Sequence, residues 1–307
     1  MRRLVQFVTL VLGLLLALEV LCRANADGLA AVAHRVYFKL ALLNAKGPVD
    51  FVTLGSSRSN DGIGPSHLGL GNGFSASTPS TSLASLEYFA KHLGPQKRVL
   101  LEVSRPTFNP APMDDLTAPP APGAFEGDPV GAWLQEHSKL LQLRRAFALE
   151  NLPRVYAILF AARFDGSEWF RSRQLTETFR DGDALPDLQD DAEWKPLSLD
   201  ANAGPYALDE DGQRVVAGYE RIVAALRANG AQVILMAPPI GAGWRAEECT
   251  EPLNALRREI ARRTNAPLLD FTCANVNEVW FLEGQHLKAI GRVKYSRVLG
   301  EAIRALP

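Results

Sequence analysis

Four short apolar runs constrain this chain more than any other feature: Val49–Leu54, Arg98–Val103, Gln232–Ala237 and Pro267–Phe271. They are nearly continuous rather than alternating, which suits parallel strands covered on both faces. Helical patterns lie between them, over Ser82–Leu93, Asp211–Asn229 and Ala246–Thr264, with a last one over Lys288–Leu306. Parallel neighbours need such crossovers, because a tight turn can join only antiparallel strands. A weaker run at Gly73–Ser77 supplies a fifth strand. The pattern predicts an α/β fold with a doubly wound, mainly parallel, five-stranded sheet. One stretch breaks the rhythm. Residues 104–208 hold no convincing strand: Pro106–Pro129 reads as Pro- and Ala-rich loop, Trp133–Phe164 as mostly helical, and Asp181–Pro205 as acidic loop. Long connections of this kind are uncommon unless functional, so 104–208 reads as a largely helical insertion, with a cap over the carboxyl edge of the sheet and a packing appendage both open readings.

The amino terminus is a targeting segment. Arg2 and Arg3 precede the apolar stretch Phe7–Leu18, and Ala24-Asn25-Ala26 has the small-x-small form of a cleavage site. Residues 1–26 therefore read as a signal anchor or a signal peptide cut near Ala26. Leu4–Cys22 as a helix would be about 28 Å long, near the thickness of the bilayer hydrocarbon. Helical, amphipathic sequence continues from Leu29 to Leu43, which favours an uncleaved anchor followed by a juxtamembrane helix within 27–48, with the α/β domain over 49–307. Leu21 before Cys22 is too bulky for lipoprotein processing. Either reading exports the domain, since the two arginines favour a cytoplasmic amino end.

The formal net charge of −1 argues against a nucleic-acid partner, which would require clustered positive charge. Arg257, Arg258, Arg262 and Arg263, with Glu259 among them, read as a solvated helix face. Export leaves Cys249 and Cys273 as a pair in an oxidising compartment, where a disulfide and two buried thiols are both open readings. No Cys/His spacing marks a metal site, and no cofactor is implied.

The candidate chemistry lies at the two ends of the domain. Leu54-Gly55-Ser56-Ser57-Arg58-Ser59 puts hydroxyls just past the first strand, where such sheets bind ligands. Glu283-Gly284-Gln285-His286-Leu287 puts an imidazole before the last helix, with a carboxylate three residues earlier. A weak nucleophile, a base and a group that orients the base are the requirements of acyl transfer. The bland alternatives are a serine turn that caps the following backbone and a histidine that caps a helix. The Gly-x-Ser-x-Gly elbow of α/β-hydrolases is absent.

These segments resemble the SGNH (GDSL-type) hydrolase superfamily, over residues 49–104 and 209–305. Gly55-Ser56-Ser57 is similar to its Gly-Asp-Ser motif, with Ser56 in place of the aspartate. Glu283-Gly284-Gln285-His286, followed by Leu287 and Gly291, is similar to its Asp-x-x-His motif. The resemblance implies a flavodoxin-like α/β/α sandwich, with Ser57 as nucleophile, His286 as base and Glu283 as the acid. It also implies an oxyanion hole from the Ser57 N–H with Gly73 and Asn109. The Gly-Ser-Ser-Arg variant with an anchor looks most like bacterial envelope proteins that modify polysaccharides. That likeness implies an inner-membrane, periplasm-facing esterase or O-acyltransferase acting on acylated glycans beside a membrane-bound O-acyltransferase. The competing expectation is a non-catalytic scaffold or binding subunit on the same fold.

Overall fold

The computed structural model describes residues 2–24, 39–40, 43, 47–77, 81–109, 194–197, 205–282 and 284–307. Five parallel strands form one sheet: β1 (Phe51–Leu54), β2 (Gly73–Ser75), β3 (Arg98–Glu102), β4 (Gln232–Ala237) and β5 (Leu268–Asp270). Their order is β2-β1-β3-β4-β5 and every pairing is parallel. The α/β expectation thus holds at the level of sheet and helices.

Side-chain alternation explains why the strands read as continuous apolar runs. Val52, Leu54, Val99, Leu101, Val233 and Leu235 point into one core. The residues between them, Leu100, Ile234 and Met236, point into a second core on the opposite face with Phe51. Both faces are dry, so both registers are apolar. The first core is closed by α3 (Leu83–His92), α4 (Glu210–Ala228) and α6 (Glu251–Thr264). The second is closed by α7 (Ala289–Arg304), through Tyr295, Leu299 and Ile303. Two shorter helices, α2 (Ser57–Gly62) and α5 (Ala242–Glu248), begin past β1 and β4 at the carboxyl edge.

Several expectations are revised. The single helix expected over Ala246–Thr264 is two, α5 and α6. The chain breaks at Cys249 and Thr250, and Pro252 starts the second helix where its missing N–H is harmless. Arg257 is not on a solvated face: it is fully buried, and its Nε donates to Asp270 Oδ2 at 2.7 Å. Arg262 and Arg263 instead pair near the surface with Glu259 and Glu220.

At the amino end, α1 covers Arg2–Ala24. Phe7, Leu10, Leu12, Leu14 and Leu16 on it are exposed. Among the described residues no helix is long and apolar enough to cross a membrane. Of the segment 27–48, Lys39, Leu40 and Leu43 are helical and buried against the domain. Lys39 Nζ donates to Asn60 Oδ1 at 2.8 Å and to the Ser77 carbonyl. Most of the insertion 104–208 lies outside the described residues. Near its end, Trp194 packs edge-on against Trp280 at 5.6 Å, and the Leu197 N–H donates to the Asp270 carbonyl at 2.7 Å.

Candidate active site

The strand order reverses direction between β1 and β3, and in parallel sheets the carboxyl edge at such a reversal is where ligand crevices form. Ser57 leaves β1 at that edge. Its turn is built around one carboxylate, Glu102 at the end of β3, whose side chain is fully buried. Glu102 Oε2 accepts from the Ser56 N–H at 2.7 Å and from the Ser59 hydroxyl, and Oε1 accepts from the Ser56 hydroxyl at 2.6 Å and from the Ser104 hydroxyl. Four donors satisfy a carboxylate that burial alone would make costly. Gly55 must be glycine, because a Cβ there would overlap the Glu102 side chain. The Thr81 hydroxyl donates to the Gly55 carbonyl at 2.6 Å. Tyr219 holds the same strand end, its hydroxyl donating to the Glu102 carbonyl at 2.8 Å; burial raises that phenol far above its ordinary value and keeps the proton on it.

Ser56 is extended and caps α2, its Oγ accepting from the Arg58 N–H at 3.2 Å. Ser57 is therefore the first helical residue and is half-buried. Its own N–H is not taken up by any described acceptor, as befits the first turn of a helix.

His286 arrives on the loop before α7. Phe281 and Leu287 pair as an antiparallel bridge, and the Leu282 N–H donates to the His286 carbonyl at 2.8 Å, closing the loop. Gly284 lies in the left-handed region at φ 73°, with its carbonyl accepting from the Gly241 N–H at 2.6 Å. The result is the central contact of the site: His286 Nε2 lies 2.9 Å from Ser57 Oγ, across 229 residues of sequence. That is hydrogen-bond distance for a hydroxyl and the base that would take its proton.

The other expected residues fall as follows. Glu283 lies outside the described residues. Gly73 opens β2 opposite Phe51, the first residue of β1, so it sits at the amino edge while Ser57 lies past the carboxyl edge. Three strand residues alone separate those edges by roughly 10 Å, which removes Gly73 from the oxyanion hole. Gly73 is glycine for another reason: a Cβ would overlap the Phe51 ring. Asn109 is on the correct edge, past β3, and its carbonyl accepts from the Leu83 N–H at 2.9 Å at the head of α3. Cys249 and Cys273 form a disulfide with Cα atoms 5.5 Å apart. Among the described residues no group of metal-ligating side chains forms.

Three polar residues of the site escape a reading of sequence alone. Glu102 ends an apolar run, where a carboxylate normally reads as the step into solvent. Arg58 and Glu248 look like surface charges, yet they are only 4% and 2% exposed and pair at 2.7 Å. The pattern Ser56-x-x-Ser59 carried a signal, since two hydroxyls on one side of a turn call for an acceptor between them.

The chain matches no protein-family model, no curated protein and no solved structure.

Proposed function

We propose that this protein is a serine esterase or O-acyltransferase, related in design to the SGNH hydrolases, that acts on acyl esters of envelope or extracellular glycans. The observation that carries the proposal is the 2.9 Å approach of His286 Nε2 to Ser57 Oγ at the carboxyl edge of the sheet. In the first half-reaction Ser57 Oγ bonds to the acyl carbon and its proton passes to His286 Nε2. The tetrahedral adduct collapses, the bond from the acyl carbon to the donor oxygen or sulfur breaks, and His286 returns the proton to that leaving group. Water or a glycan hydroxyl then attacks the acyl carbon, giving its proton to His286; the bond from that carbon to Ser57 Oγ breaks and His286 returns the proton to Oγ. The Ser57 N–H is the donor on hand for the developing oxyanion, and Glu283 is the residue proposed to orient the imidazole. Export is part of the proposal: α1, with its exposed apolar side chains, would anchor the domain at the outer face of the inner membrane. A membrane-bound O-acyltransferase is the proposed source of acyl groups.

Ser57→Ala should abolish labelling by a fluorophosphonate probe and lower turnover of an acyl-ester substrate by about 10³-fold or more. Labelling that persists in the variant, or full activity without Ser57, excludes the covalent mechanism. A non-catalytic scaffold is the alternative, favoured by the removal of Gly73 from the oxyanion hole. Folded wild-type protein that never labels would support it.

A further inference from the structure

The two members of the Ser57–His286 pair come from opposite ends of the domain, and each has a sequence neighbour that reaches across to the other side. Arg58 follows Ser57, and Gln285 precedes His286. Arg58 Nη2 donates to Gln285 Oε1 at 3.1 Å, beside the 2.9 Å contact of the pair itself. The guanidinium is not a loose surface group. Arg58 is 4% exposed, and the same Nη2 donates to Glu248 Oε1 at 2.7 Å, with Glu248 2% exposed at the end of α5. The Glu248 carbonyl accepts from Arg257 Nη2 at 3.3 Å, and the next residue, Cys249, is bonded to Cys273. A single nitrogen of Arg58 therefore joins Glu248, whose backbone is held by Arg257, to the histidine loop.

We propose that Arg58 and Gln285 are positioning residues that set His286 in register with Ser57. The loop turns at Gly284 in the left-handed region and its backbone is held at the Gly284 and His286 carbonyls; a side-chain tie one residue from His286 adds a lateral constraint to these. Gln285 supplies an acceptor one residue away, and a buried, charge-matched arginine supplies a donor of fixed geometry. Gln285 is neutral, so the charge of Arg58 is balanced by Glu248, and the loop can be released without leaving a new buried charge. That separates it from Arg58 itself, whose removal alone would strand Glu248. The proposal deepens the acyl-transfer reading and rests on it for its catalytic consequence. Its geometric content stands independently.

The test is the Gln285→Ala variant of the full chain, followed by the rate of fluorophosphonate labelling at Ser57, by kcat and KM for an acyl ester, by Tm, and by nuclear magnetic resonance of the His286 ring. The expected result is a fall of about 10- to 100-fold in labelling rate and in kcat, with KM and Tm unchanged. Gln285→Glu keeps the acceptor and should restore labelling to within a few-fold of wild type. The double variant Arg58→Gln/Glu248→Gln, which removes both charges together, should slow labelling as Gln285→Ala does. Wild-type labelling rates in Gln285→Ala, with Ser57 reactive in both proteins, overturn the register role and leave the acyl-transfer reading intact. A slow rate that follows a falling Tm also overturns it. Should wild-type Ser57 never label, the acyl-transfer reading falls and the ring resonances decide. Gln285→Ala must then shift the His286 signals as far as Ser57→Ala does, and unmoved signals sink the proposal.

Discussion

Ser57 owes its position to side chains that take no direct part in its chemistry. Ser56, Ser59 and Ser104 converge on Glu102, and Gly55 gives the carboxylate room. Gly55→Ala should therefore destabilise the protein by about 1–3 kcal/mol, as overpacking against a buried group does, with a matching fall in the urea midpoint. Gly243→Ala is the control. A Cβ at Gly243, in exposed α5, meets nothing, so the change should leave stability level or raise it by up to about 1 kcal/mol. Ser57 and His286 were legible because each stands in a local pattern, a strand end or a helix start, that topology carries to one edge. Gly73 was misread for a related reason: a glycine in the right stretch of sequence says nothing about which edge of the strand it occupies. Here the Phe51 ring requires it. Glu102 and Arg58 were illegible because charge predicts solvent, and only the folded arrangement reveals donors and partners that make burial tolerable.

At the scale of elements, the break between α5 and α6 matters most for the site. A continuous helical pattern hid it, since Pro252 is compatible with the first turn of a new helix and the arginines that follow keep helical spacing. The break lets Glu248 end α5 beside Arg58 and lets Cys249 reach Cys273 after β5. The bridge closes a 24-residue separation, for which loop entropy gives about 3 kcal/mol of stabilisation. Cys249→Ser/Cys273→Ser should lower the unfolding free energy by about that amount in urea titrations. An unchanged midpoint would mean that the bridge adds nothing to stability. Arg257 illustrates the same limit of pattern reading. Its spacing matches a surface stripe, but α6 turns it inward onto Asp270, and its neighbours Arg258 and Arg262 keep their partners at the rim.

The whole molecule was the most legible level, because parallel pairing imposes two dry faces and therefore continuous apolar runs on β1, β3, β4 and β5. Strand order was not legible in that way; it depends on which side of β1 each crossover passes. Acid response also belongs to this scale. Asp50 is held below its ordinary 3.8, chiefly by the hydrogen bond from Lys97 and then by that from the Asn72 N–H, and Glu259 is held below its ordinary 4.5, chiefly by Arg262. A carboxyl with a depressed folded-state value binds fewer protons folded than unfolded. Its stabilisation is complete above the ordinary value and drains away as pH falls through the folded one. The urea midpoint should hence be level above about pH 5 and decline below it, and Lys97→Met should flatten part of that decline. A midpoint that rises on acidification would contradict this account.

The order in which the chain supplies its parts has a further consequence. The hydroxyl of Ser57 is made early, and the imidazole it contacts follows 229 residues later, once every strand of the sheet has been synthesised. A chain halted anywhere between the two holds Ser57 without the imidazole it meets in the folded protein, so under the proposed mechanism no partly made chain could be active.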